Sequence, residues 1–297
     1  MNIRSVGIIG AGTVGQGIVQ TAAAHGLDVV YKELNPEAVE HSRRAIEQAL
    51  DREIERWAIT ASEKKACLSR IRGTHTYDPI TQCDIVIEAL QDAWEKKSVV
   101  FKDLDLFMPD DRVLVTNTST LSVSELGRLT KRSDRVIGMH FLSPVPKRPL
   151  VEIVRGFNTS DETFGVARDF AEALGKTAIT VFEYPGYVTT RLILPLINEA
   201  MHVVMEGVSS PEDVDQAMKL GYDFPIGPLE MADRMGLDEV LRWLDHLRQE
   251  IHEAKFRPCP LLRRLVHAGH CGVKTGKGIF SYTAEGERIR ETGGVKS

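Results

Sequence analysis

The 297-residue sequence is poor in cysteine: Cys67, Cys83, Cys259 and Cys271 stand far apart, and none forms a CxxC pair. That spacing excludes a zinc-ribbon pattern and a disulfide framework, so no metal is expected and a reducing, cytoplasmic setting fits. Long apolar runs are missing too. No uncharged stretch approaches the roughly 20 residues that span a bilayer, so no membrane association is expected. The start of the chain has no charged segment leading into an apolar run with a cleavage site, so no secretion signal is expected either. Nor does charge of one sign dominate. With 37 basic and 42 acidic residues, the balance excludes the phosphate-backbone track of a nucleic-acid binder. The one basic cluster, Lys147-Arg148 with Lys131-Arg132 nearby, suffices at most for a single anionic ligand. Internal repeats and low-complexity segments are absent.

What remains is the composition of an ordinary globular protein, 42% hydrophobic and 27% charged, long enough for two domains. Through about residue 180, helical patterns alternate with short β-branched runs, as in a parallel sheet covered by helices. Strands are expected at Val6–Ile9, Asp28–Tyr31, Asp84–Glu88, Val113–Thr116, Arg135–Met139, Val151–Val154 and Thr177–Phe182. The stretch from Pro36 to Arg72 reads as a helix pair broken near Ile59-Thr60, with Thr60 as a cap. After Tyr184-Pro185-Gly186 the strand signal ends and helices run from Val188 to about His267. The apolar Leu192–Met205 stretch, interrupted by Pro195 and Asn198, is expected to be a core helix. The expected domains are therefore 1–184 and 185–297, with a loose polar tail from Thr283.

The first strand runs into GIIGAGTVGQG, where Gly10, Gly12 and Gly15 fit G-x-G-x-x-G. The three glycines in turn allow a tight turn, close approach of a pyrophosphate, and close packing of helix on strand. The helix that begins at Thr13 and Val14 aims its amides at the phosphates. It ends at Gly26, and the next strand delivers Glu33 roughly 20 residues beyond the first glycine, where the ribose-binding carboxylate belongs. Glu33 would repel a 2′-phosphate and no arginine follows it, which favours NAD over NADP, with Lys32 as the one contrary sign. The fold class is thus α/β: a Rossmann-type, mostly parallel sheet with a helix-pair insertion, followed by an all-helical C-terminal domain.

Ligands bind beyond the carboxyl ends of strands in such sheets. Asp92 and Lys97, then Asn117, Thr118 and Ser119, then His140, all follow predicted strands toward one edge. The turn-rich segment from Ser143 to Pro149 joins two strands, and a hairpin centred near Pro146 sets His140 opposite Glu152. A histidine paired with a carboxylate can take a hydroxyl proton while its imidazolium is stabilised, as alcohol oxidation by hydride transfer requires. The lysine-rich GVKTGKG is not a phosphate loop, since Gly278 stands where Ser or Thr is needed.

These residues, together with VIEALQDAWEKK, the NTST segment at Asn117–Thr120, RVIGMHFLSPVPKRPLVEIVRG, PGYVTTRLI and FRPCPLLRRLVHAGHCGVKTGKGIFSY, resemble the L-3-hydroxyacyl-CoA dehydrogenase family over nearly the whole chain. The resemblance implies His140 as general base, Glu152 as its partner, and Ser119 on the reacting oxygen. It further implies that Asp92, Lys97 and Lys274 contact NAD, with Asn117 near the reacting groups. An acyl-CoA substrate and a homodimer built by the C-terminal domain are also implied. Three departures stand out: Asp92 where the family more often has Glu, and Ser143 and Thr190 where it usually has Asn to position cofactor and substrate. Each of the last two exchanges an amide for one hydroxyl. The leading reading is reversible hydride transfer between NAD and C3 of a 3-hydroxyacyl-CoA. The alternatives are an NAD-dependent dehydrogenase of a non-CoA hydroxy acid or sugar acid, and a catalytically silent dinucleotide-binding relative.

Overall fold

The structure, a computed structural model, describes residues 3–289, and counts refer to those residues. Strands β1 (Ser5–Ile9), β2 (Asp28–Lys32), β3 (Ile71–Thr74), β4 (Ile85–Glu88), β5 (Val113–Thr116), β6 (Val136–Phe141), β7 (Leu150–Arg155) and β8 (Thr177–Phe182) form one sheet in the order β3-β2-β1-β4-β5-β6-β7-β8. Pairing is parallel from β3 through β6, antiparallel between β6 and β7, and parallel again between β7 and β8. The order reverses beside β1, which connects outward to β2 while β4 lies on its other side. That crevice, at the strands' carboxyl ends, is where such sheets take a ligand.

The central strands read as continuous apolar runs because both faces are covered. Val6 and Ile8 of β1, Ile85 and Ile87 of β4 and Val113 and Val115 of β5 enter one core with Ile18 and Val19 of α1 (Thr13–Ala24) and Phe170 of α6 (Asp161–Ala173). The alternate residues Ile9, Val86 and Leu114 enter the other with Phe101 and Leu104 of α4 (Trp94–Phe107) and Leu126 of α5 (Val123–Gly127). Phe170 is fully buried, and truncating it to alanine would cost about 3–5 kcal/mol.

The expected helix pair is present as α2 (Pro36–Glu55) and α3 (Ala61–Ser69). Thr60 closes a capping box with Glu63. The pair stops short of Arg72, however. Ile71–Thr74 is the outer strand β3, paired parallel to β2, where the sequence reading continued the helix. β5 and β8 have the expected bounds, and the other expected strands differ by one or two residues at their ends, most at β6, which extends to Phe141.

The chain divides into two compact units between Tyr187 and Val188. The second contains α7 (Thr189–Met205), α8 (Pro211–Tyr222), α9 (Pro228–Met235), α10 (Leu237–Ile251) and α11 (Pro260–His267) around a core that includes Leu194, Ile197, Met201, Leu229, Leu244 and Phe256. Its buried polar groups hold the backbone. Asn198 of α7 accepts from the Cys259 amide and donates to the Arg257 carbonyl. Asp215 accepts from the Leu229 and Glu230 amides at the start of α9. Asp233 accepts from the Ile279 and Phe280 amides and the Tyr282 hydroxyl, and a Cβ at Gly278 would sit 2.0 Å from its Oδ1. That packing explains the last glycine of GVKTGKG, Gly278. The expected loose tail is wrong for its first part: β9 (Ser281–Tyr282) and β10 (Arg288–Ile289) pair antiparallel. The remainder, 290–297, lies outside the described residues.

Candidate active site

The site begins at the end of β1. Gly10 has φ +88°, a left-handed conformation that favours glycine, and a side chain there would run into Leu90. Gly15 approaches so closely that an added Cβ would lie 2.0 Å from the Gly10 carbonyl oxygen. Gly12, by contrast, faces open space. Helix α1 starts beside it with no side-chain cap and no acidic residue in its first turn, so no side chain of its own takes up the amides of Thr13 and Val14. Uncapped amides at the positive end of a helix favour an anion, so these residues fit a dinucleotide pyrophosphate.

Glu33 follows β2. Its Oε1 accepts from the Ala11 amide at 2.7 Å and from Ser42 Oγ at 3.0 Å. The neighbouring Lys32 is engaged elsewhere, its ammonium 4.5 Å from the centre of the Tyr77 ring and its pKa lowered by burial. The contrary sign in the sequence is therefore a cation packed on an aromatic ring, with the charges of Asp103 and Glu33 acting against the effect of its burial.

At the ends of β4 and β5 lies a buried ion pair that sequence reading saw only in part. Lys97 of α4 and Glu88 of β4 are both fully buried. Lys97 Nζ donates to Glu88 Oε1 and Oε2 at 2.8 and 2.7 Å and to the Asn117 carbonyl at 2.8 Å, which occupies its three protons. Glu88 also accepts from the Leu90 amide and Thr116 Oγ1. Burial pushes its carboxyl above the ordinary value, while Lys97 pulls the other way. Lys97 thus meets the protein on every donor, holding together the segments that carry the site. Asn117 Oδ1 accepts from the Phe141 amide, tying β5 to β6, and Asp92 Oδ2 accepts from the Ser119 amide.

His140 and Glu152 are register partners on β6 and β7, as the hairpin reading required. His140 is 4% exposed and Glu152 is fully buried, with Nδ1 and Oε2 2.5 Å apart. A carboxylate only accepts, so a neutral imidazole held this way carries its proton on Nδ1 and has Nε2 as an acceptor. Ser119 Oγ lies 3.0 Å from Nε2. The result is a line of three groups, hydroxyl to imidazole to carboxylate, at the carboxyl edge of the sheet. Such a line can pass a proton to or from a hydroxyl group placed beside it. Tyr187, buried, rests its ring 5.7 Å from that of His140 and donates to the Leu121 carbonyl. Burial also raises its pKa well above the ordinary value, so it stays a neutral wall.

The loop joining β6 to β7 docks on the cofactor helix. Val145 packs so tightly on Gly17 of α1 that a Cβ there would lie 2.8 Å from the valine Cβ. The ammonium of buried Lys176 donates to the carbonyls of Val145 and Arg148, both at 2.8 Å. Ser143 in this loop is exposed. The small basic cluster is not a joint anion site: Lys147 pairs with Glu53, and buried Arg132 ties to Asp105 and to the Met108 carbonyl at the end of α4. In the second unit, Thr190 is buried in the first turn of α7, and Lys274 donates to Asp238 Oδ2 at 2.6 Å.

Glu88, Ser42, Lys176 and Tyr187 went unread in the sequence. Glu88 had a signal: a carboxylate ending the strand Ile-Val-Ile-Glu, with a lysine in the following helix. The other three are polar residues whose burial only the tertiary structure reveals.

Comparison with known proteins agrees with this geometry. The family model described as 3-hydroxyacyl-CoA dehydrogenase, NAD binding domain, matches residues 5–184, and that for the C-terminal domain of the same family matches residues 186–282. A probable 3-hydroxybutyryl-CoA dehydrogenase of Bacillus subtilis is 43% identical over 282 residues, covering 95% of this chain and 98% of that protein. One from Deinococcus radiodurans is 40% identical, covering 93% and 99%. The crystal structure of (S)-3-hydroxybutyryl-CoA dehydrogenase from Ralstonia eutropha is 42% identical, with a TM-score of 0.88, covering 95% of this chain and 100% of that one.

Proposed function

Because the chain belongs to the 3-hydroxyacyl-CoA dehydrogenase family and is an NAD-dependent enzyme of that kind, we propose that its substrate is a short 3-hydroxyacyl-CoA, 3-hydroxybutyryl-CoA foremost, with His140 as the general base. The line Ser119–His140–Glu152 carries this reading. When bound, NAD supplies the acceptor for the hydride that leaves C3. His140 Nε2 takes the hydroxyl proton, Glu152 stabilises the imidazolium, and Ser119 hydrogen-bonds the reacting oxygen. In the reverse direction the imidazolium returns the proton to the carbonyl oxygen.

On this reading Gly10, Gly12, Gly15, Thr13 and Val14 hold the pyrophosphate and Glu33 the adenosine ribose. Asp92, Asn117 and Ser143 also serve the cofactor on this reading, and for the second unit the resemblance implies Lys274 for the cofactor and Thr190 for the substrate. Lys97 contributes through Glu88 and the Asn117 carbonyl. NAD binding is assigned to residues 1–184, and substrate binding and homodimer formation to 185–297. The exposed apolar side chains of Leu192, Val208, Leu220 and Tyr222 support an association surface. Four unpaired cysteines fit a cytoplasmic setting.

Ser143 and Thr190, in place of the amides that the resemblance leads one to expect, motivate a second reading, a hydroxy-acid substrate without CoA. Oxidation rates for free 3-hydroxybutyrate and its CoA thioester separate the two. A preference of at least a hundredfold for the thioester is expected, and equal rates would discard the acyl-CoA assignment.

A further inference from the structure

Serine inside a helix commonly turns its hydroxyl back to the carbonyl four residues earlier or leaves it in water. Ser42 of α2 does neither. It is 3% exposed, and its hydroxyl leaves its own helix to donate to Glu33 Oε1 at 3.0 Å, with the Ala11 carbonyl 3.4 Å away. The Ala11 amide reaches the same carboxylate oxygen at 2.7 Å. Two donors from two segments thus converge on Oε1, while Oε2 receives no hydrogen bond among the described residues.

The helix that bears Ser42 is itself pinned near Glu33. Asn35 caps it, accepting from the Ala38 amide, and Pro36 opens it with a fixed φ. Tyr31 at the end of β2 donates to the Val39 carbonyl at 3.0 Å. A Cβ at Gly73 of β3 would meet Val39 and Tyr31 at 2.5 and 2.6 Å, so the join between strand and helix is closely packed. Ser42 therefore approaches Glu33 from a fixed direction.

We infer that Ser42 is a positioning residue for the dinucleotide: it holds Glu33 so that Oε1 braces the glycine turn at Ala11 and Oε2 is presented to the adenosine ribose hydroxyls. A glutamate at a strand end has several rotamers of similar energy, and a ligand must freeze one of them. Ser42 freezes it before the ligand arrives, which is preorganisation. The inference rests on the reading of Glu33 as the ribose acceptor.

The test is equilibrium binding of ADP-ribose, which has the adenosine ribose but no nicotinamide, to the wild type, Ser42→Ala, Glu33→Gln and the double variant by titration calorimetry. Alanine favours helix, so Ser42→Ala retains α2. Its ADP-ribose Kd should rise roughly three- to tenfold, the scale of one ordinary hydrogen bond, because Ser42 acts on the ligand only through Glu33. Its KM for NADH should rise by a similar factor and by more than kcat falls, a KM-against-kcat split that a merely structural role for Ser42 would not give. Glu33→Gln should weaken ADP-ribose at least as much, and the double variant no further, because both changes act on one contact. Unchanged binding in Ser42→Ala beside weakened binding in Glu33→Gln, or strictly additive losses, overturns the inference. Unchanged binding in Glu33→Gln would instead remove the ribose reading on which it stands.

Discussion

Nδ1 of His140 and Oε2 of Glu152 meet at 2.5 Å across the one antiparallel strand pair of the eight-stranded sheet. Reversal of β7 is what places both residues at the carboxyl edge, beside Ser119 and the glycine turn. Had β7 been parallel, its amino end would have lain at the opposite edge. Glu152→Gln keeps shape and volume but replaces an acceptor-only carboxylate by an amide, removing the charge that stabilises the imidazolium. Its kcat should fall by roughly two to four orders of magnitude with the KM for NAD nearly unchanged. Steady-state kinetics at saturating cofactor measure this, and a loss under tenfold would deny Glu152 that role.

Lys97→Met leaves Glu88 buried with an uncompensated charge. It should destabilise the protein by about 3–5 kcal/mol. Adding Glu88→Gln to it should recover part of that loss, because the remaining polar group still meets the Leu90 amide and Thr116 hydroxyl. Calorimetric unfolding of the single and double variants gives the comparison. A double variant less stable than the single one would contradict a charge-pair origin.

Ser143 is exposed in the loop between β6 and β7, so it has room for a longer side chain. Ser143→Asn restores the amide found at the matching position in the family that the sequence resembles. The KM for NADH should fall roughly three- to tenfold, in line with one added hydrogen bond. Unchanged kinetics would mean that this loop no longer meets the cofactor.

Burial pushes the Tyr31 phenol from 10.0 up to about 12, and its hydroxyl fixes α2 through the Val39 carbonyl. The folded state keeps a proton that the unfolded chain loses first. Stability from this group is therefore whole below pH 10 and declines as pH rises toward about 12. Tyr31→Phe should show a shallower decline in that window, measured by denaturant midpoints at several pH values. Parallel declines for both proteins would refute the assignment.

Much of the fold and site was legible in the sequence because it rests on local rules. Glycine spacing marked the turn, Thr60 marked a helix cap, and a proline-rich connector between two β-branched runs set His140 opposite Glu152. The outer strand β3 was missed because Ile71–Thr74 has four residues, with Arg72 and Gly73 interrupting any alternation, and follows directly on a helix. Its pairing with β2 is a long-range fact. The supporting polar residues were missed for a related reason. Ser42, Lys176 and Tyr187 look like surface residues until the fold buries them, and the bonds of the Lys97 ammonium to Glu88 and the Asn117 carbonyl likewise depend on the tertiary structure.

Hydride transfer assisted by His140 is tested most directly by NADH oxidation with acetoacetyl-CoA, measured for the wild type and for His140→Gln at equal concentrations of folded enzyme. The wild type should turn over readily, with the variant slower by at least about a hundredfold, as loss of a general acid–base group requires. Equal rates in the two proteins, whether both fast or both negligible, would contradict that role for His140.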